Sequence, residues 1–378
     1  MNILILLTHT VSCNVETFEL AKGMVESGAD VSLILSSHVE NLERWESARQ
    51  DFKEIYYVDT HTSKKNFFQK TAKFIWSGRK KLKRAFKNKH YDFIINTMAN
   101  YWDVMISSLI DADEIVCFIH DPLSHSGMSL RGKILERCMY KRADQVVVHT
   151  KSFIPVVQNK YGFPTDKIHH SPHCRLKAYK LGNIQANKDP FYSGKINYLF
   201  FGYIREYKGL HILAKAYKTL AVDRNLPVTL TIAGSGDFNP YRNEYASLPN
   251  VRIINRRIKD EEIEKLFSAP QCVVVLPYLD ATQSGVIVTA LEFGAPIIAT
   301  DTGGLKEQLQ DGKIGLFCKP GDADSLSEQM LHMLQCPEEF EKQHKLMSKY
   351  LHKLDPNVIA KDLLDMLYRK NVLPDDSK

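Results

Sequence analysis

The chain has 378 residues, 44% of them hydrophobic and 25% charged. At roughly 150 residues per domain it holds two to three domains, and it can bury real cores without disulfide or metal staples. Fibrous, collagenous and wholly disordered classes are excluded. The seven cysteines are scattered with no C-x-x-C pair, which argues against a zinc ribbon or disulfide framework and for a reducing compartment.

The net charge of +6 is unevenly spread. Residues 1–190 carry +7 and residues 191–378 carry −1, and the stretch 61–90 alone holds 11 Lys/Arg and no acid. Any account of partners starts there. No apolar run reaches the ~18 residues of a membrane span. The opening run Ile3–Leu7 is short and lacks a basic flank, so it reads as a buried strand, not a signal peptide.

In chain order, Ile3–Leu7 predicts a strand, Phe18–Met24 an amphipathic helix ended by Ser27-Gly28, and Val31–Leu35 a second strand. Ile55–Val58, Phe93–Ile95, Ile115–Ile119 and Val146–Val148 continue the series. Continuous apolar strands separated by helices imply a parallel sheet covered on both faces, with ligands at the carboxyl ends of the strands. Residues 175–195 are polar, hold Gly182, Pro190 and Gly194, and break the rhythm. The expected division is therefore 1–175, a linker over 176–195, a second domain over 196–355 and a closing helix over 356–372. In the second domain, strands are expected at Tyr198–Phe201, Val228–Ile232, Val251–Ile254, Val273–Leu276 and Ile297–Thr300. Helices fit 210–221, 260–268, 285–294, 304–310, 323–335 and 357–370. The fold class is α/β, two doubly wound parallel-sheet domains, with no sequence repeat between them.

The richest stretch is P-Y-L-D-A-T-Q-S-G-V-I-V-T-A-L-E, from Pro277 to Glu292. A strand ends in a polar loop and a helix opens near Ser284-Gly285. The amides of Gly285, Val286 and Ile287 suit a diphosphate, and Ser284 is a natural N-cap. Glu292, eight residues on, could accept both hydroxyls of a ribose; it could equally be a solvated acid. The second stretch is F-G-Y-I-R-E-Y-K-G, from Phe201 to Gly209. There Arg205 and Lys208 could neutralise a diphosphate leaving group, or form a solvated loop with Glu206.

Together these stretches resemble the retaining glycosyltransferases of family four, which have the GT-B fold. The family pattern of strand, glycine, cation loop, Lys-Gly and Leu-x-x-Ala reads here F-G-Y-I-R-E-Y-K-G-L-H-I-L-A-K-A. An Ala-Gly-x-Gly strand end follows at Ala233–Gly236, then a loop from Asn255 to Asp260, and then G-x-P-I-I-A-T-D-x-G-G-x-x-E from Gly294 to Glu307. The resemblance is strong over about 195–325 and weaker over 1–175. It implies two Rossmann-like domains facing a central cleft. Nothing matches the dinucleotide fingerprint G-x-G-x-x-G, so NAD is not expected.

The resemblance also assigns roles. Gly202, Arg205, Lys208, Gly234, Ser284, Gly285, Val286 and Glu292 would hold the donor nucleotide, Glu292 on its ribose. Backbone near Arg257 and Ile258 would read the base. The family's first glutamate falls on Ser284, a departure; Ser284 would then hydrogen-bond the sugar, with Asp280 supplying a carboxylate. The family arginine follows the glycine directly, whereas here Tyr203 does, so the phosphate role passes to Arg205 and Lys208. His120, at the end of Ile119-His120-Asp121, matches a histidine that touches the donor sugar; a structural turn capped by Asp121 is the alternative. His125 and Gly127 read as an acceptor-side loop. Ser12 and Asn14 stand where relatives carry Gly-Gly, and either meet substrate or cap the next helix. His173 and Tyr179, in a loose H-G-x-x-x-x-Y pattern with Cys174 for the glycine, read as linker features.

Residues 64–89 interleave cations with Phe67, Phe68, Phe74, Ile75, Trp76, Leu82 and Phe86. Phe67, Thr71, Phe74 and Ile75 could share a helical face, with Gly78 interrupting the helix. Such a segment suits an anionic membrane surface; the alternative is a surface helix packed on the core by one face, and the two are compatible. No nucleic-acid recognition module is visible. The expected activity is retaining, metal-independent transfer from a nucleotide-diphosphate sugar, a UDP-sugar in preference to a GDP-sugar, with no other cofactor. The acceptor would be a glycan or lipid-linked hydroxyl in bacterial surface polysaccharide synthesis, at the inner face of the cell membrane. The alternatives are a glycosyltransferase-like binding subunit, motivated by Ser284, and a sugar-nucleotide epimerase.

Overall fold

The computed structural model describes residues 1–10, 13–63, 65–98, 100–123, 140–182, 189–192 and 196–369. The chain divides into two compact units, Met1–Cys174 with the segment from Leu354 onward, and Arg175–Lys353.

The first unit is built on seven strands in the order β3-β2-β1-β4-β5-β6-β7. These are β1 Asn2–Leu7, β2 Asp30–Ser36, β3 Glu54–Val58, β4 His90–Asn96, β5 Asp111–Ile119, β6 Gln145–Val148 and β7 Ile168–His170. All adjacent pairs run parallel. Ile3 through Leu7 are fully buried, as a strand covered on both faces requires. The second unit has six parallel strands in the order β10-β9-β8-β11-β12-β13. These are β8 Ile196–Phe201, β9 Val228–Gly234, β10 Val251–Asn255, β11 Cys272–Leu276, β12 Ile297–Thr300 and β13 Leu316–Cys318. In each sheet the chain reverses its direction of growth once, between β1 and β4 and between β8 and β11. Crevices at such switch points, beyond the strand carboxyl ends, are where ligands sit in open parallel sheets.

Every expected strand is present. Two further strands, β7 and β13, are three residues each and lie at sheet edges, too short to show a period. A helix over Pro337–Leu351 was also not anticipated; it begins with Pro at its first turn and buries only Gln343, Met347 and Leu351. The polar stretch 175–195, expected to be a linker, is tied to the second unit where it is described. Arg175 pairs with Glu292, and the amides of Leu181 and Gly182 donate to Glu264. Composition marked the boundary but could not show these anchors.

Gly78 does not interrupt the basic helix. Phe67–Lys73, a π-helical turn over Phe74–Gly78 and Arg79–Ala85 form one continuous run. Glycine is required because a Cβ there would stand 2.6 Å from the Phe74 ring. Of the expected shared face, Phe67, Thr71 and Phe74 turn inward, and Ile75 does not. Phe74, Leu82 and Phe86 are buried against Trp102 and Ile106, while Phe68, Ile75 and Trp76 point outward at 80%, 50% and 85% exposure. Among the described residues no helix is long and apolar enough to cross a membrane, and the six cysteines described are all free thiols.

At the first switch point, a capping box opens the Tyr101–Ser107 helix. Asn100 Oδ1 accepts from the Trp102 and Asp103 amides, and Asp103 accepts from the Asn100 amide. The fully buried Asp103 also accepts from Thr8 Oγ1 at 2.6 Å. Burial raises its carboxyl to about 7, against the opposing hydrogen bond from Thr8. A raised carboxyl is stabilising while protonated, and that contribution is lost as pH climbs from the unfolded value through the folded one. Denaturant unfolding should therefore show the wild type losing a few kcal/mol between about pH 4 and about pH 7 relative to Asp103→Asn, whose own curve lacks this component; parallel curves for the two proteins would refute it.

The final helix, Pro356–Arg369, packs on Asn14–Glu26, where Ser27 Oγ donates to Asn357 O. Gly23 lies at this crossing, and an added Cβ would stand 2.2 Å from Pro356 O. Alanine inside a helix is ordinarily better than glycine by about 1 kcal/mol. Gly23→Ala should instead lose roughly 1–3 kcal/mol and speed hydrogen exchange over 356–369; a stabilised variant would contradict the crossing.

Candidate functional site

In the second unit the loops after β8, β9, β11 and β12 meet backbone to backbone. A Cβ on Gly234 would stand 1.8 Å from Gly202 O, one on Gly209 1.9 Å from Pro277 O, and one on Gly303 1.7 Å from Ala281 O. Gly209, at φ 68°, also turns the chain into the Leu210–Lys218 helix. Hydrogen bonds lock the same approaches: Gly202 N to Ala233 O, Ile204 N to Ser235 O, Leu279 N to Tyr207 O and Gly304 N to Ala281 O.

This lattice places Lys208 half-buried, with its Nζ 3.5 Å from the centroid of the Tyr278 ring. Tyr278 is fully buried, and its hydroxyl lies 3.5 Å from Ser284 Oγ. Ser284 occupies the N-cap position of the Gly285–Phe293 helix, but its side chain makes no cap hydrogen bond. Gln308 holds its backbone instead, accepting from Ser284 N and donating to Ser284 O. The hydroxyl is thus positioned without being consumed by the helix. The first-turn amides of Gly285 and Val286 have no intrahelical acceptor. Gly285 is exposed, and a Cβ there would meet nothing within 4 Å, so an anion can approach closely. A Cβ at Gly202 would lie 3.7 Å from Val286, which brings the β8 loop to the same helix end.

The remaining expected donor residues divide. Arg205 and Asp280 are exposed and make no ion pair among the described residues. Arg257 is exposed and Ile258 is buried beside the Asp260–Phe267 helix. Arg256 donates to Arg257 O and to both oxygens of Glu262, which fixes that backbone. Glu292 is not a solvated acid. Its side chain is 1% exposed, and Arg175 donates Nε and Nη2 to its two oxygens, each at 2.8 Å. Each oxygen keeps a second lone pair for a hydroxyl donor. Arg175, Tyr278 and Gln308 were not anticipated; of these only Tyr278, directly behind a strand, carried a positional signal.

In the first unit, Thr8, His9, His61, Phe67, Asn100 and Tyr101 line a hollow of about 450 Å³. It lies beyond the carboxyl ends of β1, β3 and β4, at the switch point. Burial keeps His9 below its ordinary value, helped by His61, and burial does the same to His61. His61 Nδ1 is buried with no hydrogen-bond partner. A larger hollow of about 740 Å³, lined by Lys83, Arg84, Lys87 and His90, is at the opposite, amino end of β4 and does not suit a strand-end ligand.

His120 follows β5, and its Nε2 lies 2.6 Å from Thr97 O; Asp121 is not what orients it. Its ring stands 4.8 Å from that of His149 and 6.2 Å from that of His173. His173 is therefore not a linker feature: it is buried and donates Nδ1–H to Glu16 Oε1 at 2.5 Å. Asn14 neither caps nor faces a ligand, because its side chain accepts from Trp45 Nε1 and donates to Glu40 O. Ser12, His125 and Gly127 lie outside the described residues.

Two family models match the chain: Glycosyltransferase Family 4 over residues 14–174 and Glycosyl transferases group 1 over residues 195–336. A D-inositol 3-phosphate glycosyltransferase of Paenarthrobacter aurescens (strain TC1) is 26% identical over 206 residues, 49% of this chain and 48% of that protein. The chain thus spans about half the length of the curated relatives it matches. Among solved structures, Anabaena Alr3699/HepE in complex with UDP and glucose superposes with TM-score 0.70 at 16% identity, over 97% of this chain and 99% of that one. WaaG, a glycosyltransferase involved in lipopolysaccharide biosynthesis, gives 0.68 at 13% identity, over 97% and 100%. These likenesses establish the GT-B fold. With the two family models and the two parallel sheets, they show that the chain belongs to glycosyltransferase family four, the group 1 glycosyltransferases.

Proposed function

We propose that the chain is a retaining, metal-independent glycosyltransferase that moves a sugar from a UDP-sugar to a hydroxyl of a glycan or lipid-linked acceptor in bacterial surface polysaccharide synthesis. The observation that carries this reading is the helix start at Gly285 and Val286, set at the switch point of the second sheet beside a positioned Lys208. Backbone amides and an ammonium there would hold the diphosphate and take up charge as it leaves. Arg205 would swing onto the same phosphates from its exposed position. The two hydroxyls of the ribose would donate to Glu292, and Ser284 and His120 would hydrogen-bond the donor sugar, with Asp280 as a further carboxylate. The acceptor hydroxyl would enter the hollow lined by His9, His61 and Tyr101 in the first unit. It would attack the anomeric carbon on the face the diphosphate leaves, and its proton would pass to the departing phosphate oxygen. No protein nucleophile is then required.

The basic run supports a membrane source for the acceptor. Lys80, Lys81, Lys83, Arg84 and Lys87 are exposed and make no ion pair among the described residues, and Phe68 and Trp76 project from the same run. Each such cation is worth about 1 kcal/mol near an anionic bilayer, and an exposed Trp settles at the headgroup level. Phe67, on the same helix, lines the first-unit hollow, so a lipid-linked glycan would meet it from the membrane side, at the cytoplasmic face.

Incubation with UDP- and GDP-sugars and a lipid-linked glycan should release UDP with a sugar joined to the acceptor. Altered sugar without nucleotide release would indicate an epimerase, and binding without turnover a non-catalytic subunit. Lys208→Ala should lower kcat by about 10²–10³, whereas unchanged turnover would remove it from the diphosphate. Anionic vesicles should pellet the protein in low salt and release it in high salt. Pelleting that survives neutralisation of Lys80, Lys81, Lys83 and Arg84 would defeat the membrane reading.

A further inference from the structure

Glu16, His120, His149 and His173 come from four places in the first unit: the Asn14–Glu26 helix and the segments after β5, β6 and β7. One donor atom from each lies within 4.8 Å of the others. Hydrogen bonds to carbonyls, which only accept, fix two of the tautomers. His149 Nδ1 lies 2.8 Å from Ser171 O, so Nδ1 carries the proton and Nε2 a lone pair. His120 Nε2 lies 2.6 Å from Thr97 O, so its lone pair is on Nδ1.

This leaves a conflict. His149 Nε2 is buried, has no hydrogen-bond partner, and sits 3.3 Å from Glu16 Oε1. A lone pair faces a carboxylate in a side chain that is 2% exposed. Glu16 and the lone-pair nitrogens of His149 and His120 thus fall in one cluster of metal-ligating side chains. Its outer contacts are those that orient metal-bound imidazoles, a ring N–H donated to a backbone carbonyl.

We propose that Glu16, His149 and His173 supply the fixed ligands of a zinc-class divalent metal site, with His120 facing the fourth position. This departs from the sequence-based expectation of no metal. The three fixed ligands are not among the residues proposed to touch the sugar donor, so this site and the transfer reaction are tested separately. His173 now donates Nδ1–H to Glu16; when the metal takes that place the proton moves to the ring's Nε2, so the ligand stays a neutral imidazole. Tetrahedral zinc at about 2.0–2.1 Å from its ligands sets neighbouring donors roughly 3.3 Å apart, so the four side chains close by about an ångström on binding.

The test uses the full chain, stripped with a chelator, dialysed and titrated with Zn²⁺ by calorimetry in two buffers of different ionisation heat. The expected result is one equivalent bound with no net proton released between the two buffers, a raised melting temperature, and a tetrahedral ligand-field spectrum when Co²⁺ replaces Zn²⁺. His149→Gln and Glu16→Gln, made separately, should each weaken binding at least about tenfold. The Co²⁺ spectrum needs no variant, so a variant that fails to fold leaves the test intact. Absence of stoichiometric binding, a non-tetrahedral spectrum, or binding undiminished in both variants would overturn the site; the last would place the metal on other histidines among the 14 in the chain.

Discussion

At Gly209 the chain passes so close to Pro277 that a Cβ would stand 1.9 Å from the carbonyl oxygen. The same closeness recurs at Gly234 over Gly202 and at Gly303 over Ala281. These contacts draw four strand-end loops into one rigid layer above the second sheet. Lys208 can hover over Tyr278, and Ser284 can stand at a helix start without capping it, because the backbone around them cannot relax. A side chain at any of the three glycines would separate the loops and take the cation away from the amides. An oriented cation and oriented dipoles are what stabilise a departing diphosphate, since they need no rearrangement as charge develops.

Much of this was legible in the sequence for a physical reason. Strands covered on both faces must be apolar along their length, so Ile3–Leu7 and Val273–Leu276 announce themselves. Glycines forced by close approach also leave a mark, which is why F-G-Y-I-R-E-Y-K-G and the A-T-D-T-G-G run point at a site. Contacts made across the fold leave no such mark. Arg175 lies 117 residues from Glu292, and nothing near either residue foretells the pair. Glu16, His149 and His173 are equally scattered, and no local spacing marks them as neighbours. The short edge strands β7 and β13 escaped because three residues cannot display a period.

The basic run shows where sequence patterning misleads. Helical spacing put Phe74 and Ile75 on one face, but the π-helical turn adds a residue and divides them. Phe74 goes to the core, while Ile75 and Trp76 go to solvent. The inward side then packs on Trp102 beside the switch point of the first sheet, and the outward side collects aromatics and unpaired lysines and arginines. One helix thereby supports the hollow at the strand ends and presents a surface suited to lipid.

The central claim is that the switch point of the second sheet holds the donor diphosphate. A crystal structure with UDP tests it most directly. The account predicts the diphosphate within about 3 Å of the Gly285 and Val286 amides, with Lys208 Nζ on a phosphate oxygen and the ribose hydroxyls on Glu292. A nucleotide bound elsewhere, or bound there with Glu292 still held only by Arg175, would contradict it.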